Sequence, residues 1–365
     1  LSFPKIKNEK IKIGFLSADI RNSHSVTFFL KSILKDYNKN KFEIYLILNQ
    51  NFTDDTTKVF SNLVYKTINI HNLDDIIAIN TIRKYNLNLV FDLMGLTSES
   101  KVEIIKNRIA HNQVSWLGYC NTTGLDNMDY LITDRNLIKK EEEKYYSEKI
   151  IYLPNIWNCH SGINYLRKKI NSPTSSNNHI TFGCFNNFMK INDNVIDTWS
   201  KILKLSKNSK LLLKSSMEKD NNRRIKKKFA EYGISDSIIF HEHDKNFQDH
   251  LKLYEKVDVA LDTFPYNGVT TSFEALFMGV PVLTMAGYNF NSRCGASINK
   301  NLKLDYLISK DQEDYINKAV ELSNDIKKLN ELRNFIFENV IDSSLFDKVS
   351  FSKSFFNMVE EINHS

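Results

Sequence analysis

The sequence predicts an α/β protein of two successive doubly wound domains, each a parallel sheet clad in helices. Three observations carry that expectation. Short apolar runs alternate with stretches of helical periodicity along almost the whole chain. A polar tract, Asn171-Ser172-Pro173-Thr174-Ser175-Ser176-Asn177-Asn178, interrupts the alternation, which then restarts. A length of 365 residues is generous for one core and comfortable for two.

Taken in order, residues 11–16 read as an apolar strand and 26–35 as a helix. A strand over 43–48 follows, then a helix over 73–85 and a third strand over 87–93 that contains Asp92. Residues 98–107 read as a helix, and 113–117, 130–133 and 150–153 as strands. The first domain is expected over residues 1–165, a linker over 166–179 and the second domain over 180–345. In the second, strands are expected at 180–185, 210–214, 237–241, 257–261 and 281–285. Helices fill 194–205, 219–232, 247–256, 272–278, 293–299, 312–323 and 325–339. The tail, 346–365, carries Phe351, Phe355, Val359 and Ile362 at helical spacing, an amphipathic helix expected to pack on the first domain. Open sheets of this kind bind ligands at the C-terminal ends of their strands.

Composition places the chain among ordinary globular proteins, with 42% hydrophobic and 25% charged residues. No apolar run approaches the roughly 20 residues that span a bilayer, and nothing at the start resembles a signal peptide. Cys120, Cys159, Cys184 and Cys294 lie far apart and form no C-x-x-C pair. Neither a zinc site nor a disulfide framework is expected, and a cytoplasmic location is. The net charge of +6 is modest for this length. The one dense basic run, Arg223-Arg224-Ile225-Lys226-Lys227-Lys228, has helical context and no interleaved aromatics. It reads as a solvated helix face, so no nucleic-acid partner is expected.

One stretch stands out: "LDTFPYNGVTTSFEALFMGVP", residues 261–281. A strand ending near Asp262 enters a loop with Pro265 and Gly268, then Thr270 and Thr271 open an apolar helix. A glycine-containing loop feeding a helix N-terminus offers free amides and a positive dipole end to an anion. A capping box between Thr271 and Glu274 accounts for the same residues. The stretch alone leaves both readings standing.

Several blocks then follow in one order: "KIKIGFLSADIRNSHSVTFFL", "DLMGLTSESKVEIIKNRIAHNQVSWLGYCNTTGLDNMDYLITD", "YYSEKIIYLP", "FGCFNNFMKI" and the stretch above. In these blocks the chain resembles the catalytic region of the O-linked N-acetylglucosamine transferases and their SPINDLY relatives, from about Lys10 to the final helix. The resemblance implies a GT-B fold of two Rossmann-like domains, with a nucleotide-sugar donor in the second and a protein or peptide acceptor across the cleft. It implies inverting, metal-independent transfer of N-acetylglucosamine from UDP-GlcNAc to Ser or Thr, with no cofactor. Relatives carry N-terminal tetratricopeptide repeats, so such repeats are expected upstream of residue 1.

The resemblance also implies roles. Thr270, Thr271 and Lys190 match residues at the donor diphosphate, and Glu274 the acidic residue at the ribose hydroxyls. His250 matches a histidine against the base, and Asn187 stands where many relatives have glutamine in the donor site. His24 matches a histidine at the catalytic cleft, where a neutral imidazole can take the acceptor's proton. The sequence offers no Asp-x-Asp pair in a suitable loop. A helix N-terminus and a lysine are therefore expected to hold the leaving diphosphate in place of a metal. Three departures leave the donor open. Gly95-Leu96-Thr97 replaces Gly-His-Thr, Val269 replaces glycine or histidine before the two threonines, and Asn187 replaces glutamine. The alternatives are GDP-fucose to Ser or Thr, UDP-glucose to Asn, or a non-catalytic module that binds nucleotide sugars.

Overall fold

The strands pair in parallel throughout the computed structural model, which describes residues 9–214, 219–242, 244 and 246–364, and the central ones are buried on both faces. Such strands are near-continuous runs of Ile, Leu, Val and Phe because helices cover both sides of a parallel sheet. The chain divides into two units, Leu1–Ile163 with Phe346–Ser365, and Asn164–Leu345.

The first unit holds seven strands: β1 (Ile11–Ser17), β2 (Phe42–Leu48), β3 (Lys66–Asn69), β4 (Leu89–Asp92), β5 (Asn112–Ser115), β6 (Tyr130–Asp134) and β7 (Lys149–Leu153). Their order is β3-β2-β1-β4-β5-β6-β7. The helices between them are α1 (Ser25–Leu34), α2 (Asp55–Leu63), α3 (Asp75–Arg83) and α4 (Val102–Lys106). Winding runs outward from β1 to β3 and returns to β4 at the other side of β1, with Ile13 in register with both Ile44 and Leu89. The loops after β1 and β4 therefore leave the sheet at its switch point, where α/β sheets open a crevice. The first loop carries His24 and the second Gly95.

Two of these elements, α2 and β3, escape the sequence reading. Helix α2 buries only Thr57 and Phe60, and β3 is an edge strand that buries only Ile68. Neither shows enough apolar surface to register as a period. What sets the start of α2 is polar: Asp54 and Thr57 form a reciprocal capping box.

The second unit orders its strands β10-β9-β8-β11-β12-β13. These are β8 (Thr181–Cys184), β9 (Lys210–Lys214), β10 (Ile238–His241), β11 (Val259–Leu261), β12 (Val282–Met285) and β13 (Ile308–Ser309). Its helices are α5 (Thr174–Asn177), α6 (Asp193–Leu205), α7 (Lys219–Glu231), α8 (Phe247–Leu253), α9 (Thr270–Phe277), α10 (Cys294–Asn301), α11 (Gln312–Asn324) and α12 (Ile326–Asn339). The switch point lies between β8 and β11.

The polar tract before β8 is not a free tether. Arg167 donates to the Phe277 carbonyl at 2.7 Å and stacks over the rings of Phe277 and Phe337. Further along, the Asp258 carboxylate accepts from the Ser172 hydroxyl and from the amides of Thr174 and Thr181. These bonds strap the tract to the second unit. The final helix, α13 (Lys348–His364), belongs to the first unit and packs against α1. Its Phe355 is fully buried against Trp116 and Phe91, with ring centroids 4.7 and 5.2 Å away.

Candidate functional site

The switch point of the second unit gathers the loops after β8 and β11, and the buried carboxylate of Asp262 joins them. It accepts from the amides of Gly268 (2.7 Å) and Thr263 (2.9 Å), the Thr284 hydroxyl (2.8 Å) and Asn186 Nδ2 (3.1 Å). Burial pushes its carboxyl up to about 6, opposed by the Gly268 amide, the Thr284 hydroxyl and the Lys190 charge. Space around it is tight. A Cβ on Gly268 would sit 2.6 Å from both Asn186 Oδ1 and Thr271 Oγ1, and one on Gly295 would run into Thr284 and Asp262. The conformation of residues 263–271 is thus dictated by hydrogen bonds and close packing together.

Helix α9 begins at Thr270, with Val269 as its N-cap and no side-chain cap. The capping box between Thr271 and Glu274 does not form. Thr271 lies inside the helix and its hydroxyl donates to Asn186 Oδ1, while Glu274 turns toward α8. The first amides of α9 have no intrahelical acceptors, as at any helix start, and the eight-residue helix puts its positive end there. Lys190, in the loop after β8, reaches the same place. Its Nζ donates to the Asn267 carbonyl at 2.8 Å and lies 4.3 Å from the centre of the Tyr266 ring. Lys190 is thereby tied to the loop that leads into Thr270 and Thr271.

Asn187 goes elsewhere. It is exposed and caps its own short turn, accepting from the Met189 amide at 2.9 Å. Its neighbour Asn186 is the inward residue, bonded to Asp262, Thr263 and Thr271. Sequence reasoning passed over Asn186 and Asp262. An asparagine pair after a strand does not say which member faces in.

His250 and Glu274 meet. His250 Nε2 lies 2.9 Å from Glu274 Oε2, and the Tyr254 hydroxyl lies 3.3 Å from the same oxygen. On the other edge of the ring, Lys214 Nζ is 3.0 Å from Nδ1. Lys214 also pairs with Asp244, whose carboxylate bonds His241 at 2.7 Å. None of Lys214, His241 or Asp244 was legible as a site residue. Lys214 ends β9, whereas His241 ends β10 and Asp244 follows it, so Lys214 meets the other two through the pairing of β9 with β10, which sets His241 in register with Lys214.

In the first unit, His24 is the N-cap of α1. Its Nδ1 accepts from the Val26 amide at 3.4 Å, and its Nε2 lies 3.4 Å from Asp19 Oδ1. Burial lowers the His24 pKa below its usual value, with Arg21 adding to the effect and Asp19 opposing it. A ring nitrogen that accepts an amide proton carries none, so the proton of the neutral ring sits on Nε2, toward Asp19. After β4, the buried Asp92 holds the loop carrying Gly95 through the amides of Met94 and Gly95, at 3.0 and 3.1 Å. Gly95 has a φ of +55°, and a side chain there would run into Tyr119.

Comparison with known proteins follows the same lines. Residues 2–171 and 167–355 match the model of glycosyl transferase family 41. The probable UDP-N-acetylglucosamine–peptide N-acetylglucosaminyltransferase SPINDLY of Hordeum vulgare is 31% identical over 364 residues, 96% of this chain and 38% of that protein. Its Arabidopsis thaliana counterpart is 32% identical over 337 residues, 88% of this chain and 36% of that protein. The chain thus spans less than two-fifths of the length of these relatives. A mutant of the O-GlcNAc transferase of Thermobaculum terrenum matches with a TM-score of 0.91 at 28% identity, covering 97% of this chain and 68% of that one. The Anabaena protein HepE, solved with UDP, matches with a TM-score of 0.59 at 12% identity over 96% of this chain and all of its own, a likeness of fold alone. These likenesses carry the expected fold class of two Rossmann-like α/β units. Among the described residues no helix is long and apolar enough to cross a membrane.

Proposed function

The chain belongs to glycosyl transferase family 41, and from that premise we propose that it is an inverting, metal-independent protein O-GlcNAc transferase. In this reading N-acetylglucosamine passes from UDP-GlcNAc to a Ser or Thr hydroxyl. The observation that carries the reading is the bond from Lys190 Nζ to the Asn267 carbonyl, 2.8 Å long, in the loop that leads into Thr270 and Thr271 at the start of α9.

The chemistry follows from that meeting. The acceptor oxygen attacks the anomeric carbon from the face opposite the diphosphate. The bond from that carbon to the phosphate oxygen breaks, and its electron pair leaves with UDP. Negative charge grows on the diphosphate in the transition state, and preorganised donors aimed at it lower the barrier. Lys190 supplies a full positive charge, while the amides and hydroxyls of Thr270 and Thr271 supply dipoles already oriented by the fold. The hydroxyl proton passes to the Asp19–His24 pair. Glu274 holds the ribose hydroxyls, and His250, 2.9 Å from it, lies against the base.

Calorimetry on the purified chain with UDP-GlcNAc, UDP-glucose and GDP-fucose tests the donor, and UDP release with added peptides tests transfer. Binding of UDP-GlcNAc together with peptide-dependent UDP release that survives EDTA is the expected result. Preference for GDP-fucose or UDP-glucose would replace the donor assignment. Donor binding without turnover on any peptide would leave a nucleotide-sugar-binding module.

A further inference from the structure

We propose that Leu96 is a specificity-determining residue for the acceptor, favouring peptides with an apolar side chain beside the hydroxyl that receives the sugar; the assignment rests on the transfer reaction proposed above.

The two units repeat one construction. In each, the first strand, β1 or β8, lies across the switch point from a strand that runs into a buried carboxylate, Asp92 on β4 and Asp262 after β11. Asp92 accepts from the amides of Met94 and Gly95, as Asp262 does from those of Thr263 and Gly268. One apolar residue and a threonine follow the glycine in both, Leu96-Thr97 and Val269-Thr270. In the second unit, a loop of this pattern faces a ligand under the reading above. Its counterpart leaves the first sheet with Asp92 in register with Leu16, beside the loop that carries Asp19 and His24. That is where the acceptor hydroxyl gives up its proton.

The loop is tightly held, and it holds Leu96 outward. Residues 91–95 are buried and 96–99 exposed, with Leu96 47% exposed. Besides the two bonds to Asp92, the amide and hydroxyl of Thr97 both donate to the Met94 carbonyl, at 3.2 and 2.8 Å. Asn49 Nδ2, just past β2, donates to the Glu99 carbonyl at 2.9 Å. Glu99 has a φ of +63°, a left-handed conformation that persists in a glutamate only where its surroundings impose it. The loop also packs on the turn after β5. A Cβ on Gly118 would strike the Leu93 carbonyl oxygen, and Tyr119 fills the space beside Gly95.

A leucine on a mobile loop can turn in and bury itself, whereas this one is kept out by its backbone. An apolar surface fixed in advance takes a partner without the entropic cost of ordering the loop. Leucine offers neither a charge nor a hydrogen bond. It therefore selects an apolar side chain and disfavours a polar one, which would lose water against it. One such contact discriminates by about tenfold in kcat/KM.

The test is steady-state kinetics on short peptides with one serine, using the donor that calorimetry selects. The peptides are identical except at one position, within about three residues of the serine, that carries Leu, Asn or Glu. The wild type should prefer Leu to Asn about tenfold in kcat/KM at one such position, mainly through KM. In Leu96→Asn that preference should vanish, and in Leu96→Met it should survive. Leu96→Lys should move the preference to Glu at the same position, a change that disturbed packing would not produce. A wild type that transfers sugar but treats Leu and Asn alike overturns the assignment alone. So does a preference that survives in Leu96→Asn, or an equal fall on every peptide in all three variants. Absence of transfer by the wild type to any peptide overturns the proposed reaction and this assignment with it.

Discussion

The amide of Gly268 donates to Oδ1 of Asp262 across 2.7 Å, and this bond ties the loop before α9 to the end of the central strand β11. Because burial raises the Asp262 carboxyl to about 6, the loop's main acceptor becomes protonated just below neutrality. A carboxylic acid accepts hydrogen bonds more weakly than a carboxylate. Affinity for UDP-GlcNAc, whose diphosphate does not titrate near pH 6, should therefore fall as the pH drops from 7 to 5. Asp262→Asn should bind weakly at every pH and show little slope. Calorimetry at four pH values on both proteins makes the comparison, and a parallel slope in the variant would remove Asp262 as the cause.

Lys190→Met should cut kcat by roughly 10²–10³, the loss typical of one charge-stabilising donor at a developing anion. Donor affinity should change less, since the leaving charge is largest in the transition state. Lys190→Arg should not rescue turnover, because a planar fork cannot take the place of a compact ammonium between Asn267 and Tyr266. Steady-state kinetics beside donor calorimetry separates the two quantities.

Asp19 and His24 should fail unequally. Neutral His24 presents a proton, not a lone pair, to Asp19, so the pair accepts the hydroxyl proton only with the Asp19 carboxylate present. Asp19→Asn is expected to slow transfer by about 10²–10⁴ without weakening donor binding. His24→Asn can still cap α1 and donate toward Asp19, so its loss should stay within about tenfold, with His24→Ala worse. Equal losses in Asp19→Asn and His24→Asn would return the proton-accepting role to the imidazole.

His160 should make the first unit acid-sensitive. It is 1% exposed, ringed by Phe28, Phe29 and Phe346, and burial lowers its pKa to about 3. Between pH 6.5 and 3 the unfolded chain binds a proton that the folded ring refuses, so stability falls as the pH falls. The slope is about 1.4 kcal/mol per pH unit from this one group. Denaturant titrations at pH 7.5, 6, 5 and 4.5 should show this loss in the wild type and a shallower one in His160→Asn, with stability above pH 7 compared separately.

The contrast between what was legible and what was not has a physical cause. Strands such as β4 and β9 announce themselves because they are buried on both faces, and α13 because its apolar residues recur at one turn's spacing. Lys190, Thr270, Thr271 and Glu274 were reachable because each lies in a block whose order resembles known relatives. Asn186, Asp262 and Lys214 were not, because their meaning is their distance from residues 36 to 85 positions away. His250 and Glu274 were each singled out, but their bond, 24 positions apart, is a property of the sheet and not of either motif.

The first unit is assembled from two stretches of chain with the whole of residues 164–345 between them. During synthesis at about 5–20 residues per second, the earlier stretch must wait roughly 10–40 s for α13 to emerge. Through that interval the site of Phe355, against Phe15, Phe91 and Trp116, stands open as an aromatic surface facing the cell's other nascent chains. A ribosome that stalls anywhere in the second unit leaves that surface uncovered, so chaperone demand during translation is written into the order of the segments.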